Sequence, residues 1–107
     1  MIDLGNLEQL TEDDAPMMQM LLDEFLNTTE EDLRSLDKAV ENKTHREIAS
    51  LAHRIKGSSM IVGANQLIQL TNELEEAGKQ AENEKFESLL SDIRKCYSSV
   101  SEAIKKL

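Results

Sequence analysis

An all-α fold, an antiparallel up-down four-helix bundle with a short N-terminal lead helix, is what this sequence predicts. Three observations carry it. Breakers are scarce: one Pro and four Gly in 107 residues, too few for a turn-rich sheet protein. Apolar residues, mainly Leu, Ile, Ala and Met with two Phe, one Tyr and no Trp, recur at three- and four-residue steps in four long segments. The gaps between those segments are short, which makes successive helices antiparallel neighbours. One domain, 1–107, is expected at this length, with a small core.

The lead, Asp3 to Leu10, carries Leu4, Leu7 and Leu10 at spacing three and reads as a short helix laid across the bundle. The first long helix is expected over about residues 15–41. Acidic residues and Pro16 open it, as the helix dipole and the missing N–H prefer. Met18, Leu22, Phe25, Thr29, Leu33, Leu36 and Val40 form its apolar stripe, and Asn42 ends it. The second is expected over 45–62, with Thr44 and Glu47 in capping-box spacing before it and Gly63 after it. The third, 65–80, has Leu67, Leu70, Leu74 and Ala77 on one face, and its glutamates read as a solvated face. The fourth, 84–106, carries Phe86, Leu89, Leu90, Ile93, Tyr97, Val100 and Ile104 and ends in lysines, again as the dipole prefers.

The chain is acidic, 12 basic residues against 21 acidic for a net charge of −9. That argues against nucleic acid and against anionic membrane surfaces as partners. The charge is uneven. Between Lys43 and Lys56 stand four basic residues (Lys43, Arg46, Arg54, Lys56) and one acidic, Glu47. A basic face on an acidic protein suits docking onto an acidic site elsewhere. The single cysteine, Cys96, excludes an internal disulfide and a thiolate metal site. It falls near the core stripe of the last helix and reads as a small packing group. No apolar run approaches the ~20 residues that span a bilayer. The start MIDLGNLEQL has neither the basic region nor the apolar core of an export signal. The cytoplasm is therefore the expected compartment, without direct membrane contact.

The candidate site is a histidine in the second long helix. On a wheel at about 100° per residue, Ile48, Leu51, Ala52, Ile55, Ser59 and Val62 face the core. His53 falls well away from them, beside Arg46, Ala49, Ser50, Lys56, Gly57 and Met60. Gly57 in a helix interior costs roughly 0.5–1 kcal/mol relative to Ala. Since the apolar pattern runs through it to Val62, access to the imidazole one turn away is the physical reading. Lys56, at i+3, lies next to the ring. Its charge disfavours the imidazolium and can pair with a phosphoryl group. Imidazole is a competent covalent nucleophile.

The string LAHRIKGSSMIVGANQL resembles the signature of histidine-containing phosphotransfer (HPt) domains: histidine, two residues, lysine–glycine–small, then Gly-Ala and a leucine. The flanks LLDEFLNTTEEDLRSLDKAVEN and LIQLTNELEEAGK resemble the helices around it. The resemblance covers Asp3 to Lys79 clearly and the last helix only generically.

It implies a phosphorelay intermediate. His53 would accept a phosphoryl group from a receiver-domain aspartate and pass it to another. Lys56 would support the phosphoryl charge and Gly57 would allow close approach. Arg46, Ala49, Ser50, Arg54 and Met60 would form the docking rim. The family has no ATP site, and no cofactor of the chain's own is implied, since the receiver holds Mg²⁺. The implied partners are response-regulator receiver domains and a sensor histidine kinase. Two arrangements are open, a domain that stands alone and the cytoplasmic C-terminal module of a membrane-bound hybrid kinase; the lead IDLGNLEQLTEDDAP resembles the start of such terminal modules and favours the second. A monomer is expected, because the His53 face has to stay open.

Other readings fare worse. The dimerisation domain of a histidine kinase places an acidic residue after its histidine and a proline further on. Here Arg54 follows, and no proline comes after Pro16. His45 and His53 lie about 12 Å apart along a helix, too far to share a metal ion, and Glu-x-x-His is absent. His45 reads as a surface residue. The alternative from another class is a non-catalytic helical adaptor in which His53 is incidental.

Overall fold

The computed structural model describes residues 2–107, apart from the side chain of Asn6. Among the described residues five helices follow one another: α1 (Gly5–Thr11), α2 (Ala15–Glu41), α3 (His45–Ile61), α4 (Asn65–Lys79) and α5 (Asn83–Lys105). Each long helix packs on its neighbour in sequence, α5 closes back on α2, and α1 lies against α2. The result is the expected four-helix bundle with a lead helix, about 42 Å long and 19 Å across. Among the described residues, no helix is long and apolar enough to cross a membrane.

The caps explain where the helices begin and end. The Asp14 carboxylate accepts the N–H of Met17 at 3.1 Å at the start of α2, and Pro16 sits in the first turn, where its missing N–H leaves no helical bond unmade. After Asn42 the chain reverses through Lys43 in the left-handed region, φ 53°. Thr44 is the N-cap of α3, but its hydroxyl makes no capping bond. The capping box expected from Thr44 and Glu47 is therefore not formed, and the turn is held by backbone bonds, with the Thr44 N–H donating to the Ala39 carbonyl at 2.9 Å. Gly63, φ +67°, ends α3. Its carbonyl accepts the Asp3 N–H at 2.9 Å, and Ile2 bridges Ala64. The N-terminal lead is thus pinned to the α3–α4 turn.

Leu22, Leu36, Ile48, Ile55, Leu67, Leu74, Phe86 and Ile93 are fully enclosed. Each contributes about 1.5–3 kcal/mol by leaving water. Ser59 and Thr71 share this core and turn their hydroxyls back onto the Ile55 and Leu67 carbonyls of their own helices, at 2.6 and 2.7 Å. Neither hydroxyl therefore needs a partner on another helix, whereas the hydroxyl of the equally buried Thr29 has no hydrogen-bond partner.

Two expectations fail on this ground. Leu10 is 60% exposed. The two-turn α1 buries Leu7 and, one turn on, Thr11, whose hydroxyl bonds the Leu7 carbonyl at 2.9 Å. His45 is half-buried rather than on the surface, because its ring packs on Phe86 and meets Asn83 Oδ1 at 2.6 Å. Cys96 is half-buried against the core.

Candidate functional site

His53 projects from the middle of α3 with 67% of its side chain exposed, as the wheel requires. Its Nδ1 lies 3.1 Å from Glu75 Oε2 on α4. Glu75 is buried, at 7% side-chain exposure, and gathers two ammonium groups as well. Lys56 Nζ stands 2.7 Å from Oε1, and Lys79 Nζ 3.2 Å from Oε2. Lys56 also donates to Asn72 Oδ1 at 3.2 Å. The Lys56 ammonium, first, and that of Lys79 outweigh the burial that opposes ionisation, and they hold the Glu75 carboxyl down to about 2. A buried carboxylate, two lysines and an imidazole thus form one network across the α3–α4 seam.

The expectation of a solvated glutamate face on this helix fails at Glu75. Glu73 and Glu76 are exposed as expected. Glu75 lies at the margin of the apolar stripe and is drawn in by the ring and the two cations. Lys56 is likewise not a free cation beside the ring: it is 19% exposed and already paired.

The seam is tight because Gly78 lets α4 approach α3. A Cβ there would fall 3.0 Å from the Ala49 backbone nitrogen. Ala49 is consequently half-buried in the helix contact, while Arg46 and Ser50 are exposed. Gly57 is different. A Cβ added to it would meet nothing within 4 Å, so nothing inside this chain asks for a glycine there.

Arg54 is exposed but not unattached: its guanidinium lies 3.3 Å from the buried Asp32 carboxylate of α2. Burial pushes the Asp32 carboxyl up, against the attraction of Arg54. Met60 is 50% exposed and Ile61 43%. They lie toward the end of α3, beside the start of α2, where Met17 and Met20 are also exposed. One flank of His53 is therefore polar and basic, and the other carries apolar side chains.

Counted as charges, Glu75, Lys56 and Lys79 leave a net positive surface beside the imidazole, and Arg54 and Asp32 cancel. Such a surface accommodates an incoming dianion. Sequence reasoning singled out His53, Lys56 and Gly57. It missed Glu75, Lys79, Asn72 and Gly78. Gly78 was the available signal: a second glycine inside a helix, three residues after Glu75, is as much in need of a reason as Gly57.

Comparison with known proteins bears on the family and the fold. The Hpt domain family matches residues 20–103. The crystal structure of histidine-containing phosphotransfer protein B (HptB) from Pseudomonas aeruginosa PAO1 superposes with a TM-score of 0.92 at 30% identity, covering 98% of this chain and 91% of that one. No curated protein sequence matches the chain significantly. A helical bundle with an exposed, network-held histidine, matched by the family over most of its length, leaves one assignment: the chain belongs to the Hpt domains, the histidine phosphotransfer modules that work with receiver domains and kinases in phosphorelays.

Proposed function

We propose that His53 is the residue that carries the phosphoryl group. The observation behind this reading is the pairing of an exposed imidazole, held from below by Glu75, with a glycine one turn away that the chain's own packing does not need. His45, the other histidine, has its ring occupied by Phe86 and Asn83.

A receiver domain brings an aspartyl phosphate to the α3 face. The lone pair of a ring nitrogen attacks phosphorus, an N–P bond forms, and the P–O bond to the aspartate breaks, returning a carboxylate. Transfer to a second receiver reverses these bonds. The reaction needs in-line approach and charge neutralisation, and little else from this side. Gly57 leaves room for the approach, and Lys56 stands within reach of the incoming charge. Mg²⁺ belongs to the receiver in this scheme, because the Glu75 carboxylate that touches His53 is already engaged by the ring and two ammonium groups. Arg46, Ser50 and Arg54 meet the acidic side of the receiver, and Met60 supplies an adaptable apolar contact. The chain acts as a monomer that accepts and hands on the group without kinase activity of its own.

The test is transfer of label from a phosphorylated receiver domain to the wild type and to His53→Gln. Label on wild type alone supports the reading. Equal label on both moves the site elsewhere, and binding of the receiver without labelling of either form favours the adaptor alternative.

A further inference from the structure

We propose that Asp32 sets how strongly the His53 face binds a receiver: its carboxylate ties up Arg54 and cancels its charge, and an acidic partner gains the guanidinium only when Asp32 gives it up. This rests on the reading of the α3 face as the receiver's docking surface and deepens it by naming the residue that tunes the docking.

Asp32 is the one carboxylate in the buried stripe of α2, otherwise made of Leu22, Phe25, Leu26, Thr29, Leu33, Leu36, Ala39 and Val40. A carboxylate there costs desolvation that an apolar side chain would not. Its Oδ1 lies 3.3 Å from a terminal nitrogen of Arg54, and its Oδ2 is buried without a partner. A carboxylate that fixed the arginine's geometry would engage the guanidinium fork with both oxygens. Arg94 on α5 shows that arrangement: two of its nitrogens meet both oxygens of Asp37, and it also donates to the Leu33 carbonyl. Asp32 instead supplies a counter-charge with little orientation. Arg54 is 61% exposed and follows His53 in the chain, so its guanidinium can be drawn off α2 without opening the bundle.

Release is coupled to a proton. With Arg54 turned to the receiver, an ionised Asp32 would stand buried and unpaired, so the carboxylate takes up a proton from solvent as the guanidinium leaves. Thr29 Oγ1, one turn earlier on α2, is also buried without a partner and can accept a hydrogen bond from the carboxyl O–H. The surrounding charges agree. Burial pushes the Asp32 carboxyl up, Arg54 draws it down, and Glu31 beside it on α2 adds to the rise. On α3, Glu47 stands two turns before Arg54 and is exposed. Glu30 and Asp37 of α2 are taken by Tyr97 and Arg94 on the α5 side. Docking therefore strengthens as the pH falls through the folded value of Asp32, which lies above the ordinary 3.8.

The experiment measures the affinity of a receiver domain for wild type and for Asp32→Asn, from pH 7 downward. Titration of His53 and of the receiver is common to both proteins and cancels in the ratio. At pH 7 the Asn variant is expected to bind about two- to fivefold more tightly, the scale of one partly exposed ion pair. The advantage should shrink to none as wild-type Asp32 takes its proton, and it should vanish in the Arg54→Ala background. Without a receiver, the Arg54 Nε–H resonance of wild type should shift together with the Asp32 carboxyl carbon as the pH falls, and should stay in place in Asp32→Asn. Equal affinities at pH 7, an advantage independent of pH, or one that persists without Arg54 would overturn the proposal. An Arg54 signal indifferent to the titration of Asp32 would overturn it too. That signal is read without any receiver, so absence of binding by either protein counts against the phosphorelay reading, while the Arg54 signal still decides this one.

Discussion

Gly78 of α4 rests directly on the backbone of Ala49 in α3: a Cβ at Gly78 would sit 3.0 Å from the Ala49 nitrogen and 3.2 Å from its Cα and Cβ. Ala49 is one turn before His53, and Gly78 is one turn after Glu75. The contact therefore fixes how far apart the two helices lie where the imidazole meets the carboxylate.

Gly78→Ala should destabilise the fold. Helix propensity favours Ala by roughly 0.5–1 kcal/mol, but overpacking a close contact costs about 1–3 kcal/mol, and the obstructing atoms are helix backbone rather than a movable side chain tip. A net loss of about 1 kcal/mol is expected in chemical denaturation. Slower labelling of His53 should accompany it, because the helices separate where Glu75 must reach the ring. A variant more stable than wild type would show that the seam yields more easily than this packing implies.

Gly57 should behave in the opposite way. A Cβ there meets nothing within 4 Å, so Gly57→Ala should stabilise the isolated protein by about 0.5–1 kcal/mol through helix propensity. A bulkier Gly57→Gln should keep the fold and slow transfer from the receiver severely. Stability and transfer moving in opposite directions is the signature of a glycine kept for a partner. Unimpaired transfer in Gly57→Gln would remove the access argument.

Gly63→Ala should be costlier than either. The residue has φ +67°, and its Cβ would fall 1.8 Å from the Asp3 carbonyl oxygen. Both the backbone conformation and the docked lead oppose a side chain. A loss of more than about 1 kcal/mol is expected. Deleting residues 1–4 should relieve the steric part and leave only the conformational part, which a comparison of thermal midpoints in the two backgrounds would reveal.

Glu75 and Asp32 should respond to acid with opposite signs. The folded Glu75 carboxyl is held at about 2, below the ordinary 4.5. Its contribution is present above pH 4.5 and is lost as the pH falls toward 2. Asp32 is shifted up by burial, so folding favours its protonated form. That contribution is present below its ordinary 3.8 and is lost as the pH rises through the folded value. Glu75→Gln should lower stability at pH 7 by about 1–2 kcal/mol, with the gap closing between pH 4.5 and 2. Asp32→Asn should be close to neutral or slightly stabilising at pH 7. Denaturation curves across this range test both.

Much of this was legible in the sequence because it follows from one-dimensional pattern. The apolar steps from Leu22 to Val40 gave α2, Gly63 marked the end of α3, and the wheel placed His53 outward. What escaped depends on pairing between helices. Glu75 looks like its neighbours Glu73 and Glu76 until α4 is docked on α3, and only then does it face a histidine and two lysines. Thr44 has the residue type of a cap and the right position, yet its own N–H, donated to the Ala39 carbonyl, already closes that turn. Leu10 keeps the spacing of Leu4 and Leu7, but α1 is too short to turn both Leu10 and Thr11 inward.

The central claim is that His53 carries the phosphoryl group. The most direct measurement is to phosphorylate the chain from a receiver domain, digest it under alkaline conditions that preserve phosphohistidine, and locate the group by peptide mass spectrometry. The account predicts one acid-labile phosphoryl group, on the peptide that contains His53. A phosphoryl group on His45, or an acid-stable one on a hydroxyl, would contradict it.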